Sequence, residues 1–120
     1  MAGSASYRDL IAWQKAMRLV EVCYSLAKRL PREERFALGA QIRRAAVSTV
    51  SNIAEGQRLS KAAFRSYLRI AVGSAAELET QLELAARLGF LPRDDVDAAV
   101  RQSEEVGRII RGLIAALKPV

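Results

Sequence analysis

The side chains that most often carry catalysis are scarce in this sequence. The chain has no histidine, the residue that usually moves protons near neutral pH. Its single cysteine, Cys23, falls in an apolar helical row, where a thiol stays neutral and inert, and it has no second cysteine for an intrachain disulfide. These residues favour a protein that is not an enzyme.

Metal and cofactor sites are also poorly supported. Carboxylate di-metal sites in helical bundles usually add Glu-x-x-His pairs, and Glu77, Glu79 and Glu83 have no such histidine. Glu79 and Glu83 lie one helical turn apart and are typical of a solvated helix face. The chain has neither a phosphate-binding loop nor a dinucleotide-binding glycine pattern. We therefore expect no catalytic residue, no metal and no cofactor.

The basic residues of the chain are the ones most suited to bind a partner, which would be negatively charged. The formal net charge is +6, and residues 1–60 hold 10 Lys/Arg against 5 Asp/Glu, whereas residues 61–120 hold 9 against 8. A basic half attracts polyanions, and the planar arginine fork suits phosphate. RNA or DNA is thus a predicted partner, although the same charge could simply solvate helix faces. The predicted phosphate contacts are Arg43, Arg44, Arg58, Lys61 and Arg65.

Four segments with apolar residues every three or four positions must position these side chains. The spacing predicts helices over about 9–30, from 33–36 to 55, over about 61–88, and from 93–96 to about 118. The linkers are short, so consecutive helices should be antiparallel neighbours. The sequence therefore predicts one all-α domain over residues 1–120, an antiparallel up-down-up-down four-helix bundle, preceded by a flexible segment over 1–8.

Several residues are predicted to shape the helix ends and crossings. Asp9 and Ser60 are expected to be N-caps of the first and third helices. Gly56 is expected to be the C-terminal cap of the second helix, and Gly89 to end the third. Gly73, inside the third helix, is expected to permit close backbone approach. The sequence has no apolar run long enough to cross a bilayer and no signal-peptide core, so we expect a cytoplasmic protein with no membrane partner.

A narrow polar stripe runs beside the apolar row of the second helix. Most of its members are small and neutral, whereas a solvent face usually carries more lysine and glutamate. This favours a contact surface over a plain solvent face. Arg44 and Glu55, the two charged members, could pair within or between subunits. The stripe consists of Gln41, Arg44, Ser48, Ser51, Asn52 and Glu55.

Several ordered motifs carry a family resemblance over about residues 7 to 92. The chain resembles a bacterial four-helix-bundle family that includes proteins encoded by intervening sequences in large-subunit ribosomal RNA genes, and it is similar to accessory proteins of diversity-generating retroelements. The matching pieces are Asp9-Leu10 with Trp13 to Met17, Leu30-Pro31 with Glu34 and Phe36, Gln41 to Gly56, Ile70-Ala71 with Gly73-Ser74, Glu77-Leu78, and Leu88-Gly89.

The resemblance implies a ring-like homo-oligomer, commonly a homopentamer. It also implies that the protein binds nucleic acid or a nucleic-acid-handling partner such as a reverse transcriptase. The apolar stripes of the first and fourth helices are wider than one bundle seam needs, and the surplus could be buried between subunits. The alternative is a scaffolding module that binds only protein, itself included.

The chain departs from the family pattern at two positions. Val50 stands where the family usually has a proline, so the second helix should be straighter than a proline would leave it. Ala63 stands where the family usually has an acidic residue, just before the aromatic residue of the third helix. A function that the family assigns through that acidic residue would not carry over to this chain.

Overall fold

Four long helices make up most of the chain in the computed structural model, which describes residues 6–119. They are α1 (Ile11–Lys28), α2 (Leu38–Gln57), α3 (Lys61–Arg87) and α4 (Arg93–Ala116). Short 3-10 turns precede α1 and α2, at Tyr7–Asp9 and Arg32–Glu34, and the described residues contain no strand. The predicted all-α class is confirmed. Within 6–119 no helix is both long and apolar enough to cross a membrane.

Contacts between helices show that neighbours run in opposite directions. Lys15 Nζ lies 3.2 Å from Glu105 Oε2, and Arg29 Nη2 lies 2.7 Å from Asp95 Oδ2. The start of α1 therefore meets the second half of α4, and its end meets the start of α4. The same reversed order holds for α2 with α3 and for α3 with α4, in the contacts Ser48–Ser74, Gly56–Tyr67, Ser103–Glu79 and Arg65–Ile114. This is the predicted up-down-up-down bundle.

The core is aliphatic and fills the space between all four helices. On α1 the row that contains Leu19 and Cys23 is fully buried, and it stabilises the bundle by removing apolar surface from water. The neighbouring row of α1 is only partly covered, since Met17 is 37% and Tyr24 42% exposed. The surplus apolar surface expected from the sequence therefore lies at the surface of the single chain. The largest fully buried apolar side chains are Leu19, Ile42, Ile53, Leu68, Leu78, Leu82, Ile110, Val96 and Val106.

The N-terminal end of α1 differs from the sequence prediction. Asp9 is not the N-cap of α1; its carboxylate accepts the backbone N–H of Ser6 at 3.2 Å, and the Ser6 hydroxyl accepts the N–H of Arg8 at 3.1 Å. These bonds cap the 3-10 turn, and α1 begins two residues later at Ile11. Of the segment predicted to be flexible over 1–8, residues 1–5 lie outside the described residues, and Ser6, Tyr7 and Arg8 belong to the capped turn.

The second helix starts and ends later than predicted. Glu33 and Glu34 belong to the separate 3-10 turn, because the backbone of Ala37 (φ −107°, ψ −97°) leaves the helical region before α2 begins. Gly56 is not the C-terminal cap. It is buried inside α2, which continues to Gln57.

The third helix begins and ends as predicted, but one glycine within it differs from the prediction. The Ser60 hydroxyl accepts the N–H of Ala63 at 3.2 Å, so Ser60 is the N-cap, and Gly89 follows the helix with φ +75°, a conformation that glycine adopts readily. The expected close approach at Gly73 is wrong, since a Cβ built there has no neighbour within 4 Å. The close approach is at Gly56 instead, where a Cβ would lie 2.6 Å from Tyr67 Cβ.

Candidate nucleic-acid interface

The cysteine of the chain has no catalytic environment. Cys23 is fully buried, and its burial among apolar side chains raises the pKa of the thiol to about 12, so it is un-ionised at neutral pH. Within residues 6–119, no three histidine, cysteine, aspartate or glutamate side chains come together in a way that could hold a metal ion.

We expect Cys23 to react with a thiol reagent only when the bundle opens. At pH 8 the native protein should react with dithiobisnitrobenzoate at least about 100-fold more slowly than the protein unfolded in guanidinium, because both access and thiolate formation are suppressed. Absorbance at 412 nm measures the reaction. Equal rates in the two states would contradict the buried position.

One end of the bundle gathers unpaired positive charge. We call it the basic end: it holds the N-terminal 3-10 turn, the α2–α3 connection and the C-terminal end of α4, which the antiparallel order brings together. Over 6–12, 52–66 and 109–119 it has six cations against two carboxylates, Asp9 and Glu55. Within the described residues none of these cations forms an ion pair. They are Arg8, Arg58, Lys61, Arg65, Arg111 and Lys118.

The opposite end of the bundle is electrically balanced. Over 24–40 and 83–98 it has six Lys/Arg and six Asp/Glu. Many of them are paired: Arg93 Nη1 lies 2.7 Å from Glu83 Oε1, and Arg29 lies 2.7 Å from Asp95. The hydrogen bond from Arg93 holds the pKa of the exposed Glu83 carboxyl at about 2, so the pair stays charged throughout the neutral range. Most of the net positive charge of the chain, four of the six units, therefore lies at the basic end.

Helix termini of both signs meet at the basic end, because α1 and α3 begin there and α2 and α4 end there. The first turn of α3 contains Lys61 and no acidic residue, so a cation lies at the positive end of the helix dipole. Arg65 Nε donates to the Ile114 carbonyl at 3.3 Å, which uses one guanidinium N–H to satisfy the end of α4. Its remaining N–H groups are free to contact phosphate. The end can bind an anion through several exposed donors.

The five predicted phosphate contacts do not converge on one surface. Arg58, Lys61 and Arg65 share the basic end, whereas Arg44 lies fourteen residues before Arg58, about 21 Å along the helix axis. Arg43 faces α1, where its guanidinium lies over the Tyr24 ring at 6.0 Å.

Three cations of the basic end were missed by the sequence prediction. They are Arg8, Arg111 and Lys118, which lie near the ends of the chain. The predicted antiparallel order of the helices could have identified them, because in such a bundle the start of the first helix and the end of the fourth lie beside the α2–α3 turn.

Two members of the polar stripe bond within the bundle. Ser48 Oγ lies 2.7 Å from Ser74 Oγ of α3, and Asn52 Nδ2 donates to the Ser48 carbonyl at 2.8 Å and to its hydroxyl at 3.2 Å. Small polar residues here let α2 and α3 pack closely while their hydrogen bonds remain satisfied. Sequence periodicity alone did not reveal this internal role. Ser51 is half-buried on α2.

The other stripe residues are more exposed. Gln41 and Arg44 line a polar cleft between α2 and α3 of about 390 Å³, together with Glu77 and Gln81. The Oε1 atom of Gln81 is buried there without a hydrogen-bond partner. Arg44 and Glu55 are eleven residues apart, about 16 Å along α2, so they do not pair within one chain.

An apolar groove lies between α1 and the turn before α2. It has a volume of about 420 Å³ and is lined by Tyr24, Ala27 and Phe36, with Lys28, Arg35 and Arg43 around it. Phe36 is 89% exposed, unusual for an aromatic side chain in a monomer. We call this surface the Tyr24–Phe36 groove.

Comparison with known proteins places the chain in a family. The family model for the 23S rRNA-intervening sequence protein matches residues 8–112. The crystal structure of a protein of unknown function from the S23 ribosomal protein family, from Bacteroides thetaiotaomicron, is similar with a TM-score of 0.82 at 28% identity, over 88% of this chain and 96% of that chain. Comparison with curated proteins gives no match. The chain belongs to the family of 23S rRNA-intervening sequence proteins.

Proposed function

We propose that this protein is a non-enzymatic helical bundle that binds RNA or DNA through its basic end. The observation that supports this most strongly is the separation of charge along the bundle. One pole has six cations against two carboxylates, while the other pole is balanced and heavily paired. Such a pole attracts phosphate groups with little competition from its own acidic residues.

The local sequence of α3 adds to this support. The acidic residue that the family resemblance leads us to expect at position 63 is alanine here, so nothing in the first turn of α3 neutralises Lys61 or the helix dipole. Contacts of this kind reach the nucleic-acid backbone and give affinity without sequence choice. We therefore expect binding that depends strongly on salt and weakly on sequence.

The test is a double neutralisation at the basic end with a matched control at the other end. Arg58→Gln with Lys61→Gln should weaken binding to a fluorescent 20-nucleotide RNA about 10-fold or more at 50 mM salt. It should also reduce the slope of log Kd against log salt by an amount equivalent to about two phosphate contacts. Fluorescence anisotropy across a salt series measures both. Lys28→Gln with Arg32→Gln removes the same charge from two exposed residues at the balanced end and should have a much smaller effect.

Two results would reject this proposal. One is absence of binding to RNA and DNA at low salt. The other is equal loss of affinity in the two double variants, because that outcome would indicate a response to total charge without a binding surface. Circular dichroism spectra of all variants should match the wild type, since the four side chains are exposed.

A second candidate function is self-association, as a scaffold with or without nucleic acid. The Tyr24–Phe36 groove favours it, because a monomer gains nothing from an aromatic side chain that is 89% exposed. The ring-like homopentamer implied by the resemblance is the assembly we propose, and a reverse transcriptase-like protein is a further partner that it implies. Sedimentation velocity at several concentrations tests self-association, and a monomer throughout would reject it.

A further inference from the structure

We propose that the basic end prefers single-stranded nucleic acid and stacks an unpaired base on a layered cluster of Arg8, Tyr7 and Trp13. This inference rests on the proposed function and specifies the ligand class of the same end. Its evidence is a set of aromatic contacts, which are independent of the charge distribution that supports the proposed function.

The cluster is built in successive contacts. The Tyr7 and Trp13 rings lie with centroids 5.5 Å apart at 60°, and the Arg8 guanidinium lies over the Tyr7 ring at 4.8 Å from its centroid. Trp13 packs against the hydrophobic core, Tyr7 is half-buried, and Arg8 is exposed. The outermost layer is therefore a guanidinium supported from below by an aromatic ring, and its outer side faces solvent.

Local bonds hold this cluster in place. The capped 3-10 turn fixes Tyr7 and Arg8, and Gln14 Nε2 donates to the Arg8 carbonyl at 2.9 Å. These bonds order the Arg8 backbone, and the contact with the Tyr7 ring favours one position of the guanidinium, so less freedom is lost on binding than at an arginine without such contacts.

The cluster lies beside the phosphate-attracting residues. The 3-10 turn packs against α2. Because α2 runs antiparallel to α1, the part of α2 nearest the turn is its C-terminal end, which is followed by Arg58 and Lys61. A strand whose phosphates contact these two cations would thus have its bases within reach of Arg8.

Stacking favours a single strand over a duplex. Bases in a duplex are stacked on each other and expose only their edges, whereas unpaired bases can lie on aromatic rings or arginine planes. The exposed guanidinium plane of Arg8 can therefore stack on an unpaired base but not on a base within a duplex. The sugar is not read by this arrangement, so RNA and DNA strands should both bind.

The experiment measures affinity from the fluorescence anisotropy of an end label on each oligonucleotide, because Trp13 lies beneath Tyr7 and Arg8 and would not contact a base stacked on Arg8. The full-length protein is titrated into a 12-nucleotide oligoadenylate, its DNA counterpart, a 12-base-pair duplex, and the same DNA strand with abasic sites. We expect affinity for both intact single strands to be at least about 5-fold higher than for the duplex or the abasic strand.

A matched pair of arginine variants assigns the effect. Arg8→Lys keeps the charge and removes the plane, and it should lower affinity for the intact strand about 5-fold while leaving the abasic strand unchanged. Arg58→Lys makes the same exchange at an arginine without an aromatic neighbour in the described contacts, and it should leave the preference for intact over abasic strand as in the wild type. Tyr7→Leu should behave like Arg8→Lys.

The outcomes separate this inference from the proposed function. Salt-dependent binding with equal affinity for single strand, duplex and abasic strand would overturn the stacking inference and leave the proposed function standing. An effect of Arg8→Lys no different from that of Arg58→Lys would also overturn it. Absence of salt-dependent binding to every probe would reject the proposed function, and the stacking inference with it.

Discussion

Replacing Gly56 by alanine is expected to lower the free energy of unfolding by about 2–3 kcal/mol, as overpacking of a close-packed site does. The added Cβ would lie 2.6 Å from Tyr67 Cβ and 3.0 Å from Phe64 Cδ1. Tyr67 Cβ is fixed to the α3 backbone, so the strain cannot be relieved by turning a side chain, and α2 and α3 must separate. The helix propensity of alanine opposes this loss by only about 1 kcal/mol.

The same substitution at Gly73 is the matched control and should have the opposite sign. Gly73 is exposed in the middle of α3, and a Cβ there would have no neighbour within 4 Å. Gly73→Ala should therefore raise the free energy of unfolding by about 0.5–1 kcal/mol. Urea unfolding followed by circular dichroism measures both changes. Stabilisation by both substitutions would contradict the close crossing of α2 and α3 at Gly56.

These two glycines also show where sequence reasoning stops. Periodic apolar residues predict four helices because each helix must hide one stripe, and the third helix with Phe64, Leu68 and Leu78 follows that rule closely. The same periodicity does not say where two helices cross most closely. The sequence consequently predicts a close approach at Gly73 and a helix end at Gly56, whereas Gly73 is open to solvent and Gly56 lies at the crossing.

Helix starts were predicted less well than helix faces. Asp9 and the pair Glu33 and Glu34 are good N-terminal signals, and each of them does lie in a first turn, but in a 3-10 turn before the α-helix. The residue types that cap an α-helix also satisfy the N–H groups of a 3-10 turn. Ser60 was correctly placed because α3 starts immediately after it.

The candidate site illustrates a different limit. The sequence indicates which residues are basic, and the structure places three of the five predicted contacts, Arg58, Lys61 and Arg65, around one turn. The other two, Arg43 and Arg44, are basic residues on the second helix, which is rich in small residues. Their distance from the turn, and the nearness of Arg8 and the end of α4, depend on the antiparallel course of the helices, which the composition of one segment does not contain.

The second large effect is expected at the Tyr24–Phe36 groove. Tyr24→Lys with Phe36→Lys should convert the proposed assembly to a monomer. The substitutions remove the two exposed aromatic side chains of the groove, 42% and 89% exposed, and add charge to a rim that already carries Lys28, Arg35 and Arg43. A partner surface would then lose apolar burial and meet uncompensated cations.

Lysine is preferred to glutamate for this test for an electrostatic reason. Glutamate beside Arg35 and Arg43 could form new ion pairs and restore part of the complementarity. Because Tyr24 is 42% exposed and its ring lies under the Arg43 guanidinium, the double variant should lose about 1–2 kcal/mol of unfolding free energy and still be fully folded by circular dichroism. A change in mass can therefore be attributed to the surface.

The matched control exchanges two exposed apolar residues elsewhere on the bundle. Ile70 and Leu84 on α3 are 52% and 44% exposed and lie outside the groove, so Ile70→Lys with Leu84→Lys adds the same charge. Sedimentation velocity should show that the control keeps the wild-type mass while the groove variant sediments as a monomer. If the control dissociates and the groove variant does not, the subunit contact lies on α3, and the exposed Phe36 must be explained by a different partner.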